Sequence, residues 1–163
     1  MSNWSIGIDI IEIEKFQRYN IEEHKRFYEK VFNNYETEYC QSYKDPHPHF
    51  AGLFAAKEAV YKAINEFVKI ELYHIFISHN KKTKKPIVEI DYKDENTKKV
   101  EEINQHLKRL AIKVSISHTE KTAIAWAFAI YKDQTENIEE KLDNIEEKVK
   151  EVIQSEFSAK NST

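Results

Sequence analysis

The chain contains a single cysteine and no long apolar segment. Cys40 is the only cysteine among 163 residues, so no disulfide can form within the chain and a disulfide-stabilised secreted scaffold is excluded. No apolar run approaches the roughly 18 residues that cross a bilayer. The first residues lack a basic stretch followed by a long apolar one. We therefore expect a cytoplasmic protein with no membrane span.

The charge balance is slightly acidic. A formal net charge of -3 argues against a nucleic-acid partner, because such proteins carry a basic stripe. The 40% hydrophobic content can supply one ordinary core. We expect one domain over residues 1–132 and an appendage over residues 133–163.

The appendage differs from the rest of the chain in composition. It is acid-rich, and its apolar residues alternate spacings of four and three between Ile138 and Val152. This spacing is a heptad seam of about two repeats, which is short for a coiled coil. The pattern predicts a helical C-terminal extension that packs on the core or on neighbouring subunits.

The strongest local signal is a helix from Phe50 to Ile64. Pro46 and Pro48 disfavour helical geometry in the residues before them, so we expect the helix to start near Phe50. The apolar positions at helical spacing, which predict the face that packs on the core, are Leu53, Ala56, Val60, Ala63, Ile64 and Phe67. This helix is expected to be the central element of the fold.

Glu58 and Lys62 lie one turn apart on this helix and have two interpretations. They are spaced for an exposed ion pair, which stabilises a helix by only about 0.2 to 0.5 kcal/mol. They are also candidates for a functional site. A second carboxylate that could act with Glu58, that of Asp9, lies close to a glycine in the sequence.

Asp9 follows an alternating strand pattern that starts at Trp4. Ile10, Ile13 and Phe16 then fall at helical spacing, which predicts a strand-to-helix junction at Asp9. Junctions of this kind often present side chains to ligands, although aspartate is also a common helix cap. Both interpretations stay open at this point.

Three further segments complete the expected scaffold. Residues 21–43 read as a charged helix, broken near Asn33, whose apolar face is Phe27, Val31, Tyr35 and Tyr39. Residues 73–78 and 86–92 alternate as two strands joined by a lysine-rich loop, which we interpret as a solvated turn. Residues 96–110 are spaced as an amphipathic helix.

The last hairpin, within residues 113–130, divides its second strand by side-chain size. Alanines at 123, 125, 127 and 129 face one way, and Ile124, Trp126, Phe128 and Ile130 face the other. The small residues predict close packing against the central helix. The first strand ends in Ser117 and His118, and the imidazole there can titrate near neutral pH.

Together, three stretches of the chain resemble the ordered signatures of the holo-acyl-carrier-protein synthases, a family of 4'-phosphopantetheinyl transferases. The stretches are residues 7–13 (GIDIIEI), residues 50–59 (FAGLFAAKEA) with Lys62, and residues 115–118 (SISH). The resemblance extends from Trp4 to about Tyr131. It implies an α+β fold in which a small antiparallel sheet, built from a strand and hairpins, packs on the central helix.

The resemblance also implies an activity and its participants. Members transfer phosphopantetheine from coenzyme A to a serine of apo acyl carrier protein, use Mg and form homotrimers with active sites between subunits. By position in the motifs, Asp9 and Glu58 would be the metal ligands, with Glu58 or a metal-bound water as the base for the serine hydroxyl. Lys62 would face the diphosphate, and Ser117 and His118 would lie along the nucleotide.

An acidic carrier protein needs a cationic surface to dock on. On this resemblance, the candidate docking residues on the segments after the first strand are Lys15, Arg18, Lys25 and Arg26.

The chain departs from the family pattern at three places. Lys15 stands where the family usually has arginine, Leu53 replaces a common arginine, and residues 63–73 lack the glycines often found there. Two alternatives therefore stay open: a non-catalytic homologue that binds coenzyme A or carrier protein, and a helical assembly module.

Overall fold

The computed structural model describes residues 3–132, and they form five strands and five α-helices in an α+β arrangement. The elements in chain order are β1 (Trp4–Glu12), α1 (Glu14–Arg18), α2 (Lys25–Val31), α3 (Asn34–Gln41), α4 (His47–Ile64), β2 (Ile75–His79), β3 (Pro86–Ile90), α5 (Thr97–Lys108), β4 (Leu110–His118) and β5 (Thr122–Tyr131). The expected fold class is confirmed, whereas the predicted helix within residues 138–152 lies outside the described residues.

The main sheet has three antiparallel strands in the order β1-β5-β4. One face of the sheet packs on α4, and the four alanines of β5 on that face are at most 1% exposed. Gly7 on β1 allows the closest approach, since a Cβ atom there would lie 2.0 Å from the Ala59 carbonyl oxygen. The predicted packing of the alanine face on the central helix is confirmed.

The opposite face of this sheet is apolar and exposed. Ile6, Ile8 and Ile10 on β1 are 53%, 56% and 65% exposed, and Trp126 on β5 is 41% exposed. Trp126 stacks on Phe128, whose ring also stacks on Trp4. A contiguous exposed apolar surface of this kind marks an interaction site.

The central helix starts one turn earlier than the sequence predicts. It begins at His47, with Pro48 in its first turn and Pro46 as the preceding cap residue. Proline fits there because the first amides of a helix have no intrahelical partner, so the missing N–H is not lost from the ladder. The expected start near Phe50 was wrong for this reason.

Strand β1 is longer than predicted, and Asp9 lies within it. Pairing with β5 continues through Glu12, which is opposite Thr122, and the cap of α1 is Ile13. The expected junction at Asp9 was wrong because the partner strand extends the ladder past the point where the apolar spacing changes. The helix-cap interpretation of Asp9 is excluded by the same geometry.

Residues 21–43 form two helices, as the break near Asn33 predicts. Asn33 caps α3 through a capping box with Glu36, in which each side chain binds the other residue's backbone amide. The predicted apolar face was largely wrong, since Phe27 and Tyr35 are exposed. The buried positions are Tyr28, Val31, Phe32, Glu36 and Cys40. The break rotates α3 relative to α2, so one continuous helical stripe does not describe both.

The remaining elements follow the sequence closely. Strands β2 and β3 pair antiparallel as a separate two-stranded sheet, and Asn96 caps α5 by accepting from the Lys99 amide. Within residues 3–132, no helix is long and apolar enough to cross a membrane.

Candidate active site

Asp9 and Lys62 meet where β1 crosses α4. The Lys62 ammonium lies 2.7 Å from Asp9 Oδ1 and donates to the Ile8 carbonyl oxygen at 3.0 Å. The other carboxylate oxygen, Asp9 Oδ2, is buried and has no hydrogen-bond partner. Because an unpaired buried carboxylate oxygen is costly, this atom is the clearest sign that the site accepts a ligand.

Glu58 lies one turn before Lys62 on α4 and is half-buried. Its pKa is raised above the ordinary range, first by burial and then by the negative charge of Asp9, while Lys62 acts in the opposite direction. The two carboxylates are therefore close enough to interact electrostatically. A glutamate with a raised pKa is suited to accept a proton near neutral pH.

Lys62 pairs with Asp9 in this structure and makes no ion pair with Glu58 among the described residues. The simple helical ion pair is therefore not formed. Lys62 instead neutralises one oxygen of Asp9. Asp9 Oδ2 and the carboxylate of Glu58 have no ion-pair partner among the described residues.

The residues present fit a hard divalent cation. Magnesium prefers oxygen ligands and typically takes one or two carboxylates, completing its shell with water and substrate phosphate. Asp9 Oδ2 and Glu58 supply this sparse set. In the part of the chain that the structure describes, no three His, Cys, Asp or Glu side chains cluster into a complete protein metal site.

Ser117 and His118 end β4 on opposite faces of the sheet, because side chains alternate along a strand. Ile116 packs toward α4, where its Cγ2 atom lies 3.1 Å from the position of a Cβ on Gly52, and His118 shares that face. Ser117 shares the exposed apolar face with its neighbour Ile124 on β5. The two residues, predicted to act along one nucleotide, therefore point to different sides within one subunit.

Comparison with known proteins gives the family. Residues 5–129 match the model of the 4'-phosphopantetheinyl transferase superfamily. The chain belongs to this superfamily. It is 32% identical to the holo-[acyl-carrier-protein] synthase of Caldanaerobacter subterraneus over 126 residues, 77% of this chain and 93% of that protein.

Two further similarities agree with this assignment. A holo-[acyl-carrier-protein] synthase of Leptospira biflexa is 48% identical over 61 residues, which is 37% of this chain and 48% of that protein. The Helicobacter pylori holo-[acyl-carrier-protein] synthase, solved in complex with coenzyme A, superposes with a TM-score of 0.57 at 27% identity. That superposition covers 75% of this chain and 96% of that one.

The four candidate docking residues all lie exposed on α1 and α2. Arg18 pairs with Glu14 at 2.6 Å, and Lys25 pairs with Glu29 at 3.5 Å, while Lys15 and Arg26 make no ion pair among the described residues. Lys15 and Arg26 therefore expose positive charge without an ion-pair partner in this part of the structure, whereas Arg18 and Lys25 are each paired with an acid.

Sequence reasoning missed a buried ion pair behind the site. Lys57, next to Glu58, pairs with Glu36 at 2.7 Å, and both side chains are fully buried. The ammonium also donates to the Val31 carbonyl oxygen, while Glu36 accepts from the Ile77 amide on β2 at 2.7 Å. The pair thus joins α2, α3, α4 and β2. The Asn33-to-Glu36 capping spacing was visible in the sequence, but its burial was not.

Proposed function

We propose that this chain transfers 4'-phosphopantetheine from coenzyme A to a serine of apo acyl carrier protein, releasing adenosine 3',5'-bisphosphate. The observation that carries the proposal is the group formed by Asp9, Glu58 and Lys62 where β1 crosses α4. Relatives that cover most of the chain are named holo-[acyl-carrier-protein] synthase. The cytoplasmic location expected from the sequence is part of the proposal.

The roles of the site residues follow from the reaction. The serine oxygen attacks the phosphorus that carries pantetheine, and the bond from that phosphorus to the bridging oxygen of the diphosphate breaks, so that this oxygen leaves with the adenosine 3',5'-bisphosphate. Such a transfer depends mainly on positioning and on neutralising charge. Glu58 accepts the serine proton, since its raised pKa favours proton uptake. Lys62 offers a positive charge to the diphosphate.

A magnesium ion would be held by Asp9 and Glu58. When bound, it supplies positive charge that polarises a phosphate oxygen and favours loss of the bisphosphate. The support for this assignment is the buried, unpartnered Asp9 Oδ2. The carboxylate of Glu58 is assigned both roles, metal ligand and base, and each role requires its ionised form.

The direct test is the mass of the carrier. Incubation of the full chain with coenzyme A, Mg and apo acyl carrier protein is expected to add one phosphopantetheine group, and omission of Mg is expected to prevent the addition. Binding of coenzyme A without a change in carrier mass would favour the non-catalytic homologue. Absence of both binding and transfer would favour the helical assembly module.

We also propose that the exposed apolar face of the main sheet is the contact between copies in a homotrimer. This face contains Ile6, Ile8, Ile10 and Trp126, which are too exposed for an isolated subunit to shield. A charge at its centre would be buried without a partner on assembly.

Ile8→Arg is therefore expected to convert the trimer to monomers, measured by light scattering after gel filtration. Ile87→Arg is the matched control, because Ile87 is 42% exposed but lies on β3, outside this face. A monomeric wild type, or trimers that survive Ile8→Arg, would contradict the proposal.

The cationic surface of α1 and α2 is proposed to dock the carrier protein. Lys15→Glu is expected to raise the carrier KM about tenfold, because charge reversal replaces attraction by repulsion, while coenzyme A affinity is unchanged. The wild-type carrier KM should rise with salt. Lys98→Glu on α5 is the control for net charge. A carrier KM that responds equally to both substitutions would place docking elsewhere.

A further inference from the structure

Two imidazole rings converge at the end of the fold where α4 begins and β4 ends. His49 lies in the first turn of α4, and His118 is the last residue of β4. Their ring centres are 6.2 Å apart, at an angle of 71° between the planes. Two nitrogens at this separation can each reach a different oxygen of one phosphate group with hydrogen bonds of about 2.8 Å.

The His49 ring is held in place by stacking alone. Its centre lies 3.5 Å from that of Tyr43, at an angle of 20° between the planes, and 6.1 Å from that of Tyr39. Among the described residues, the ring makes no hydrogen bond. The neighbouring acid, Asp45, instead binds His47 at 2.6 Å. His49 is therefore oriented and keeps both ring nitrogens for another partner.

Leu53, one turn after His49 on α4, is 2% exposed and packs in the core, so it offers no positive charge at this end of the helix. An anion bound here must find its positive charge on other side chains of this chain.

We propose that His49, with His118, binds the 3'-phosphate monoester of coenzyme A. The inference rests on the proposed function and adds His49 to the binding site. A phosphate monoester is a dianion at neutral pH, so two protonated imidazoles match its charge. On α4, His49 lies nine residues before Glu58, a rise of about 13 Å, which separates the phosphate on the ribose from the reacting diphosphate.

The surrounding charges predict that binding takes up protons. Without an anion, the pKa of His49 is lowered by burial, by His118 and by His79, and only Asp45 raises it. The other ionisable groups that face the ring are the phenols of Tyr39 and Tyr43. A bound dianion reverses this balance and favours the imidazolium form.

The test compares coenzyme A with 3'-dephospho-coenzyme A by isothermal titration calorimetry, using the full chain with Mg. His49→Phe keeps a ring to stack on Tyr43 but removes both nitrogens. It is expected to weaken coenzyme A about tenfold and the dephospho analogue less than twofold. His47→Phe is the matched control. It should leave the ratio of the two affinities unchanged, because the His47 ring is already hydrogen-bonded to Asp45.

A second measurement uses the wild-type chain and needs no variant to fold. Between about pH 7 and pH 9 the 3'-phosphate stays dianionic, whereas the His49 imidazolium, whose pKa is lowered by burial and by the neighbouring imidazoles, gives up its proton. The preference for coenzyme A over its dephospho analogue should therefore fall with pH. A pH-independent preference, or a folded His49→Phe variant with the wild-type preference, would overturn the proposal. Carrier mass is measured in a separate experiment. If no phosphopantetheine is transferred but the protein still prefers coenzyme A over its dephospho analogue, the proposed activity is refuted and this binding site is not.

Discussion

Replacing Glu58 by glutamine is expected to lower kcat/KM for phosphopantetheine transfer by at least about a thousandfold, while the protein stays folded. Glutamine has nearly the same shape but can neither accept the serine proton nor contribute a negative charge to a metal site. Asp9→Asn is expected to have a similar effect, because Oδ2 is the buried oxygen that has no protein partner. Initial rates of carrier modification at saturating Mg measure both effects.

Glu58→Gln should raise the stability of the metal-free protein at neutral pH, although it lowers the activity. Because the pKa of Glu58 is raised, the folded state binds its proton more tightly than the unfolded chain does. The associated stability is present below the unfolded pKa of about 4.3 and is lost as pH rises through the folded value. Without metal at neutral pH, Glu58→Gln should therefore raise Tm relative to wild type, and the gain should vanish in acid.

Glu66→Gln provides the control for these experiments. Glu66 is exposed just beyond the end of α4 and loses the same charge. It should change neither turnover nor the pH dependence of Tm. A Glu58→Gln enzyme with more than about a tenth of wild-type kcat/KM would show that Glu58 is neither base nor essential ligand.

Replacing Glu36 by glutamine is expected to cost about 3 to 5 kcal/mol of unfolding free energy. Lys57 and Glu36 are both fully buried, so glutamine would leave the ammonium without a countercharge between the rings of Phe32 and Phe76. Burial already lowers the pKa of Lys57 despite the opposing effect of Glu36. Urea denaturation of wild type and variant measures the loss.

The surface pair Lys93–Asp91 is a matched control for this prediction. It has the same 2.7 Å separation, but its side chains are 81% and 53% exposed. Asp91→Asn should therefore change the unfolding free energy by no more than about 1 kcal/mol. Adding Lys57→Met to Glu36→Gln should recover part of the loss, because the unpaired charge is removed. Equal effects of Glu36→Gln and Asp91→Asn would show that burial of the pair contributes little.

The sequence predicts those parts of the fold that local pattern controls. The alternation of alanine with large residues in β5 predicts both the face that meets α4 and the face left exposed. The family motifs implied the proposed site shared by Asp9 and Glu58, whereas the apolar spacing alone misplaced the end of β1. Strand length depends on the partner strand, and the ladder from β5 continues to Glu12.

Local sequence patterns do not predict interactions between segments that are distant in the chain. Lys57 and Glu36 belong to separate helices, and nothing in their spacing shows that both are fully buried. Lys62 was expected at the diphosphate, but its orientation depends on Asp9, 53 positions away. Local patterns did not identify His49, because it comes close to His118 only when β4 returns to the start of α4.

Crystals grown with coenzyme A and Mn in place of Mg would show whether one metal lies between Asp9 and Glu58. We expect an anomalous difference peak bonded to Asp9 Oδ2 and to a Glu58 oxygen, beside the diphosphate, with Lys62 next to it. A peak coordinated by neither carboxylate, or carboxylates far apart in every pairing within and between subunits, would contradict it.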